Sequence, residues 1–481
     1  MRAASLLAAI SSGCGDDPTP RASPPIPTDS AVPGDAPHDT SVNFRTRWAS
    51  QGHDTRGAGG NAIAIAAGGD VLVLGGFVGR VDFGGDSLHG TNERSAFLVR
   101  YAADGTLRST TGLTSGRSVE PTGMAVDPSS GVTYVAGRFT GALETGGPAC
   151  VASNYRDGFV VALEPSGKVR WARHLSLPGD AWNESAVFGV GADPAGGVVI
   201  GGMFKGTLDF GGGARLVGTT NPYYTQGFVA KLDSSGRHVW SKKFGTVAYA
   251  NVVRVDAASN VILGGAFLGS ANLGSGTVRS DGQGDFLLAK LDPTGAPLWV
   301  DAIPAPGNDA MWDGCLTPDG GVVVVGEKQD ALDLGGGGLP GRDVGFVARF
   351  DADGKHVWSR AVGDLSGDAC AQRSVASVHG VACAADGSAA ITGVYAGAIQ
   401  LADGAHEAEG GVLIETFATD GTPMWAKAMS DAVPTNLDGA IAAGTDGTLL
   451  VTGRFVGALD VGLGAPLTSD REDAFVIALA L

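Results

Sequence analysis

Two tryptophans, Trp182 and Trp312, lie in the segments PGDAWNES (178–185) and PGNDAMWDG (306–314), each surrounded by Asp, Asn or Glu. A ring beside carboxylates and amides suits a sugar or a protein ligand, because the ring stacks on an apolar face while the polar groups take hydroxyls or amides. Tyr155 and the pair Tyr223 and Tyr224 occupy long polar segments of the same kind, and Asp180, Asn183 and Asp309 supply polar partners. These residues form the candidate ligand-binding set. With Asp368 and Asp438, the acids Asp180 and Asp309 could also ring a cation, although carboxylates in such segments more often cap turns.

Catalytic signals are absent. The chain has no GxSxG, no HExxH and no phosphate loop, and its histidines are dispersed. His238 and His356 recur in one turn slot, where they are expected to be exposed rather than poised. DADG (351–354) has the start of a calcium loop but lacks the later ligands, and no His/Cys group has zinc spacing. No metal and no cofactor are therefore expected. Besides Cys14 there are Cys150, Cys315, Cys370 and Cys383. An exported chain could oxidise them, and Cys370 with Cys383, close in sequence, is the expected disulfide.

The elements that must position these residues follow from composition and repetition. The chain has 481 residues, 78 of them glycine, and only 17% are charged. Short Val/Ile/Phe runs between glycine turns indicate an all-β protein. A net charge of −17 excludes a nucleic-acid binder, whose partner's phosphates need a basic face.

The phrase FVAKLDSSGRHVWSKKFG (228–245) recurs as FVVALEPSGKVRWARHL, FLLAKLDPTGAPLWVDAI, FVARFDADGKHVWSRAVG and VLIETFATDGTPMWAKAM, with a weaker copy from 97. Each copy is a strand, a glycine-closed turn and a strand bearing a tryptophan. Trp48, Trp171, Trp240, Trp299, Trp358 and Trp425 share that slot, which Ser109 takes in the first unit. A ring recurring there is expected to pack between neighbouring units. Asp233, Asp292, Asp351 and Glu164 precede the turn and are expected to cap it. Upstream, a strand ends in Gly-x-aromatic at Phe77, Phe139, Phe204, Phe267, Tyr395 and Phe455, with Lys328 in the fifth unit. A polar residue follows five positions later each time: Asp82, Glu144, Asp209, Asn272, Asp333, Gln400 and Asp460.

A period of 60 to 67 residues with four strands per copy predicts a β-propeller blade. The last unit ends at AFVIALAL without its tryptophan strand, and the body begins with VNFRTRWASQG, a tryptophan strand without its predecessors. Together they make one blade. The expectation is a seven-bladed all-β propeller of four-stranded antiparallel blades over 41–481, its last blade closed by an N-terminal strand, leaving no open edge there.

The pattern GxFxGxLDFGG followed by GFVAKLDxxGxxxW resembles the repeat of secreted seven-bladed β-propeller proteins, frequent as lipoproteins in myxobacteria. The resemblance implies a fold and an extracytoplasmic location, and carries no catalytic residue. The N-terminus, MRAASLLAAISSGC, in turn resembles a bacterial lipoprotein signal over 1–14, which implies lipidation of Cys14 and anchoring at the outer membrane or cell surface. Plain secretion is the alternative. Residues 15–40 hold seven prolines and read as an extended disordered tether. The functional expectation is a monomeric binding or scaffold module for a protein or carbohydrate, touching membrane only through its anchor. The alternatives are a glycan hydrolase or lyase, and a purely structural surface protein.

Overall fold

The structure is a computed structural model that describes residues 44–480, apart from 55, 86, 146–149, 152–155, 176–182, 219–223, 281–283, 306, 308, 331, 364–374, 431 and 434–438. Among the described residues there is no helix, and every strand pairing is antiparallel.

The repeating unit is a four-stranded meander. In the third unit it runs Glu184–Ala192, Val198–Lys205, Gln226–Leu232 and His238–Phe244, each strand bonded to the next. Separate four-stranded sheets of this kind begin at Val119, Glu184, Thr246, Ala310 and Val375. Two further groups of four are joined into one larger sheet. One comprises Ala58–Ile65, Val71–Asp82, Leu88–Tyr101 and Leu107–Ser115. The other comprises Gly439–Ala443, Leu449–Leu459, Leu467–Ala480 and, from the opposite end of the chain, Arg45–Asp54. The N-terminal strand pairs with the C-terminal one from Arg45↔Ala480 to Gly52↔Ala474. Its tip also pairs His53 with Asp82 and Asp54 with Val81, which is what merges the two groups.

The first strands lie side by side in chain order, from Ala58–Ile65 through to Gly439–Ala443, and the last of them lies against the first. Hydrophobic clusters fill the spaces between sheets. One joins Tyr134, Val160 and Trp171 of one unit to Ile200, Phe204 and Phe228 of the next. Another joins Val73, Phe77 and Phe97 to Val476 and Ala478 of the C-terminal strand. Third strands such as Val344–Phe350 are buried on both faces, so they read as unbroken apolar runs rather than alternating ones.

The tryptophan slot bridges sheets. Trp171, Trp240, Trp299 and Trp358 each donate the indole N–H, at 3.0 Å, to a turn carbonyl of the following unit (Ser234, Pro293, Ala352 and Thr419). The glycine closing that turn, Gly295 for example, has φ +82°, and a Cβ there would sit 2.9 Å from the Trp240 ring. The turn acids cap as expected: Asp233 Oδ1 accepts from the amides of Ser235 and Arg237 at 2.8 and 2.9 Å. Asp82, Asp209, Asn272, Asp333 and Asp460 cap a second turn by accepting the amide two residues on. Lys328, in an aromatic slot, is buried, with its Nζ donating to the carbonyls of Asp330 and Gly341 at 3.2 and 2.5 Å.

Two expectations are corrected. Cys383 is bonded to Cys315, with Cα atoms 5.6 Å apart, and not to Cys370. The two cysteines sit on neighbouring first strands, Ala310–Leu316 and Val375–Cys383, so closeness in space across 68 residues overrides closeness in sequence. Cys370 lies outside the described residues, and Cys150 is buried and free. His238 and His356 are half-buried rather than exposed. They pack against Phe210 and Phe350 and meet Ser241 and Ser359 at 3.0 and 3.1 Å.

Candidate functional site: a cavity at the first strands

A cavity of about 170 Å³ lies where the first strands meet, and all seven of them line it. Six of these strands carry a β-bulge against the second strand of their sheet. The residue skipped by the register is Asn61, Thr122, Phe188, Asn251, Trp312 or His379. All six line the cavity. A bulge inserts one residue opposite none and re-aims its side chain. Here the same local irregularity, repeated in each strand, delivers six unlike side chains to one place. In the seventh strand the described register runs without a shift: Gly439 and Ala440 pair consecutively with Gly453 and Thr452, and the cavity wall there is Gly439–Ile441.

The aromatic side is formed by Trp312 and His379, whose rings are 5.6 Å apart and tilted by 32°, with Phe188 also on the lining. Behind them, Glu327 accepts a 2.8 Å hydrogen bond from the Ser377 hydroxyl. Burial raises the Glu327 carboxyl, and hydrogen bonds from Ser377 and Trp312 oppose that rise. On the polar side Arg254 pairs with Asp313, and Asp313 also accepts the amides of Gly314 at 2.8 Å and Val381 at 3.1 Å. Burial raises the Asp313 carboxyl, while the Arg254 charge and these amides pull it back. Asn251 is buried; its Nδ2 donates to the Met311 carbonyl at 3.0 Å, and its Oδ1 has no partner. Thr122 donates to the Val187 carbonyl at 2.5 Å.

Of the described residues singled out in the sequence, only Trp312 belongs to this cavity. It is not in a loop: the segment Ala310–Leu316 is a strand, and Trp312 is its bulged residue. Tyr224 is exposed elsewhere, at 42%. Asn183 is fully buried, and its Oδ1 accepts the Thr207 amide at 3.0 Å. Asp309 is likewise buried, accepting the amides of Gln329 and Gly307 at 2.6 and 3.2 Å, and burial raises its carboxyl. Both are structural caps. Trp182, Tyr155, Tyr223, Asp180, Asp368, Asp438 and Cys14 lie outside the described residues. Among the described residues, no group of three or more His, Cys, Asp or Glu is placed to hold a metal ion.

Sequence reasoning missed five of the six bulged residues. A signal existed: each stands four positions before the last residue of its first strand, as Asn61 does before Ile65 and His379 before Cys383.

No family model matches the chain, and no curated protein matches it in sequence. Solved structures similar to it include a protein of unknown function from Dyadobacter fermentans, with a TM-score of 0.43 at 11% identity over 91% of this chain and 99% of that one. A puromycin hydrolase mutant complexed with PGG gives 0.43 at 13% identity, over 86% of this chain and 54% of that one. The polysaccharide lyase Uly1 gives 0.42 at 11% identity, over 88% and 90%. Likeness at this level assigns no activity to the chain.

Proposed function

We propose that residues 41–481 form a closed seven-bladed β-propeller that works as a binding module outside the cytoplasm, held to a membrane by lipid on Cys14 through the proline-rich stretch 15–40. Two features support the ring: the cyclic order of the first strands, and the N-terminal strand lying beside the C-terminal one. The observation that carries the binding reading is the cavity itself, where six first strands each spend a bulge to present a side chain. Bulges disrupt ladder pairing and are typical beside functional sites, whereas a purely structural ring gains nothing from them. A glycan hydrolase or lyase is less well supported, because Asp313, the one carboxylate among the described lining residues, is already engaged by Arg254 and two backbone amides.

A glycan array and a cell-surface pull-down with the full chain test this reading. Hits that disappear in Trp312→Ala support it, and hits unchanged by Trp312→Ala and Phe188→Ala overturn the cavity as the site. Palmitate labelling lost in Cys14→Ala tests the anchor; absence of labelling in the parent chain overturns it.

A further inference from the structure

Building on the binding reading, we infer that the cavity takes one uncharged, hydroxyl-bearing ring of pyranose size, a single sugar unit or the end of a glycan chain. Four observations converge on that class. The first is size: about 170 Å³ is room for one ring and its hydroxyls.

The second is charge. Apart from His379, the charged lining side chains are Arg254 and Asp313, which neutralise each other in a direct ion pair. An anion entering would face the Asp313 carboxylate, and a cation would face the Arg254 guanidinium. Either must compete with the pair or lie beside a like charge in a partly enclosed site. A neutral ligand avoids both penalties.

The third is the aromatic pair. Trp312, hydrogen-bonded to Glu327, and His379, its ring tilted by 32° to the indole, offer aromatic surface for the C–H face of a sugar ring. The fourth is the polar set Asn61, Thr122 and Asn251, on strands interleaved with those of the aromatic residues. Asn251 is nine-tenths buried and its Oδ1 has no donor among the described residues, so the lining there is polar rather than apolar. A hydroxylated ring with one apolar face meets both kinds of side chain at once. A flat apolar ligand would leave the polar set unmet.

The test is calorimetric titration of the full unmodified chain with D-glucose, D-galactose, D-mannose and N-acetyl-D-glucosamine, with glycine, acetate and choline as charged probes of similar or smaller size. We expect at least one pyranose to bind saturably and none of the charged probes to do so. Trp312→Ala should weaken the binding at least about tenfold, while Trp312→Phe, which keeps a ring, should retain most of it. Saturable binding of a charged probe with no response to any pyranose overturns the ligand class and leaves the binding module standing. Silence from every probe, together with an empty glycan array, overturns both.

Discussion

The indole N–H of Trp48 donates to the carbonyl oxygen of Ala103 at 3.0 Å, repeating across the junction of the chain's two ends the contact that Trp171 makes with Ser234. The N-terminal strand therefore does two jobs. It completes the sheet of Leu467–Ala480, and its tryptophan latches that sheet to the turn closed by Gly105. Trp425 packs against Phe44, with ring centroids 4.9 Å apart and planes tilted by 55°.

Removing residues 42–52 should accordingly lower the thermal midpoint more than Trp48→Ala does. The point substitution loses a half-buried ring and one hydrogen bond, about 2–3 kcal/mol, while the strand pairing survives. Calorimetry of both variants checks this, and equal midpoints for the parent and the truncated chain would show that the N-terminal strand is dispensable.

The Cys315–Cys383 bond closes a loop over a separation of 68 residues between neighbouring first strands. Loop-closure entropy sets its worth at up to about 4 kcal/mol. Cys315→Ser should therefore melt well below the parent under oxidising conditions and coincide with it after reduction. Peptide mapping without reduction should recover Cys315 joined to Cys383; recovery of Cys370 joined to Cys383 would overturn the pairing.

Glu415 is buried, its Oε1 accepts the Ala402 amide at 2.9 Å, and burial pushes its carboxyl up to about 7 from 4.5. A folded-state value above the unfolded one means the folded chain holds a proton that the unfolded chain releases. The associated stability is full below about pH 4.5 and is lost as pH rises to about 7, by no more than about 3 kcal/mol. Glu415→Gln should remove this component, so that the variant gains on the parent between pH 5 and pH 8. A difference in midpoint that does not change with pH would contradict it.

Gly295 and Gly269 have nearly the same backbone, φ +82° and +84°, but only Gly295 has a tryptophan ring over it. Alanine at Gly269 should cost only the left-handed backbone, about 1 kcal/mol. Alanine at Gly295 must also displace Trp240 and should cost clearly more. Urea midpoints of the two variants measure the difference, and equal losses would show that the indole yields freely.

The outer strands were legible in the sequence because their signals are local and repeat at fixed offsets. Asp233, Gly236 and Trp240 fall within one hairpin, so spacing alone predicts a capped turn and a ring in register. The cavity was not legible in the same way. Asn61, Thr122, Phe188, Asn251, Trp312 and His379 share a position but no chemistry, and a bulge shows only in how a strand pairs with its neighbour. Trp312 stood out because it broke the tryptophan ladder, yet its glycine- and aspartate-rich surroundings pointed to a loop. Asp309 and Asn183 show the opposite error: polar residues beside an aromatic were given to a ligand, when buried backbone amides had the prior claim.

Within its described residues the strand Gly439–Ala443 shows no register shift, and it brings Gly439, Ala440 and Ile441 to the lining. A ring of near-equivalent positions would otherwise offer a guest several rotational settings of similar merit. A stretch of wall made, among the described residues, by Gly439–Ile441 and flanked by His379 on one side and Asn61 on the other removes that degeneracy and gives the cavity a front and a back. That strand thus makes an unlike set of side chains into an oriented one.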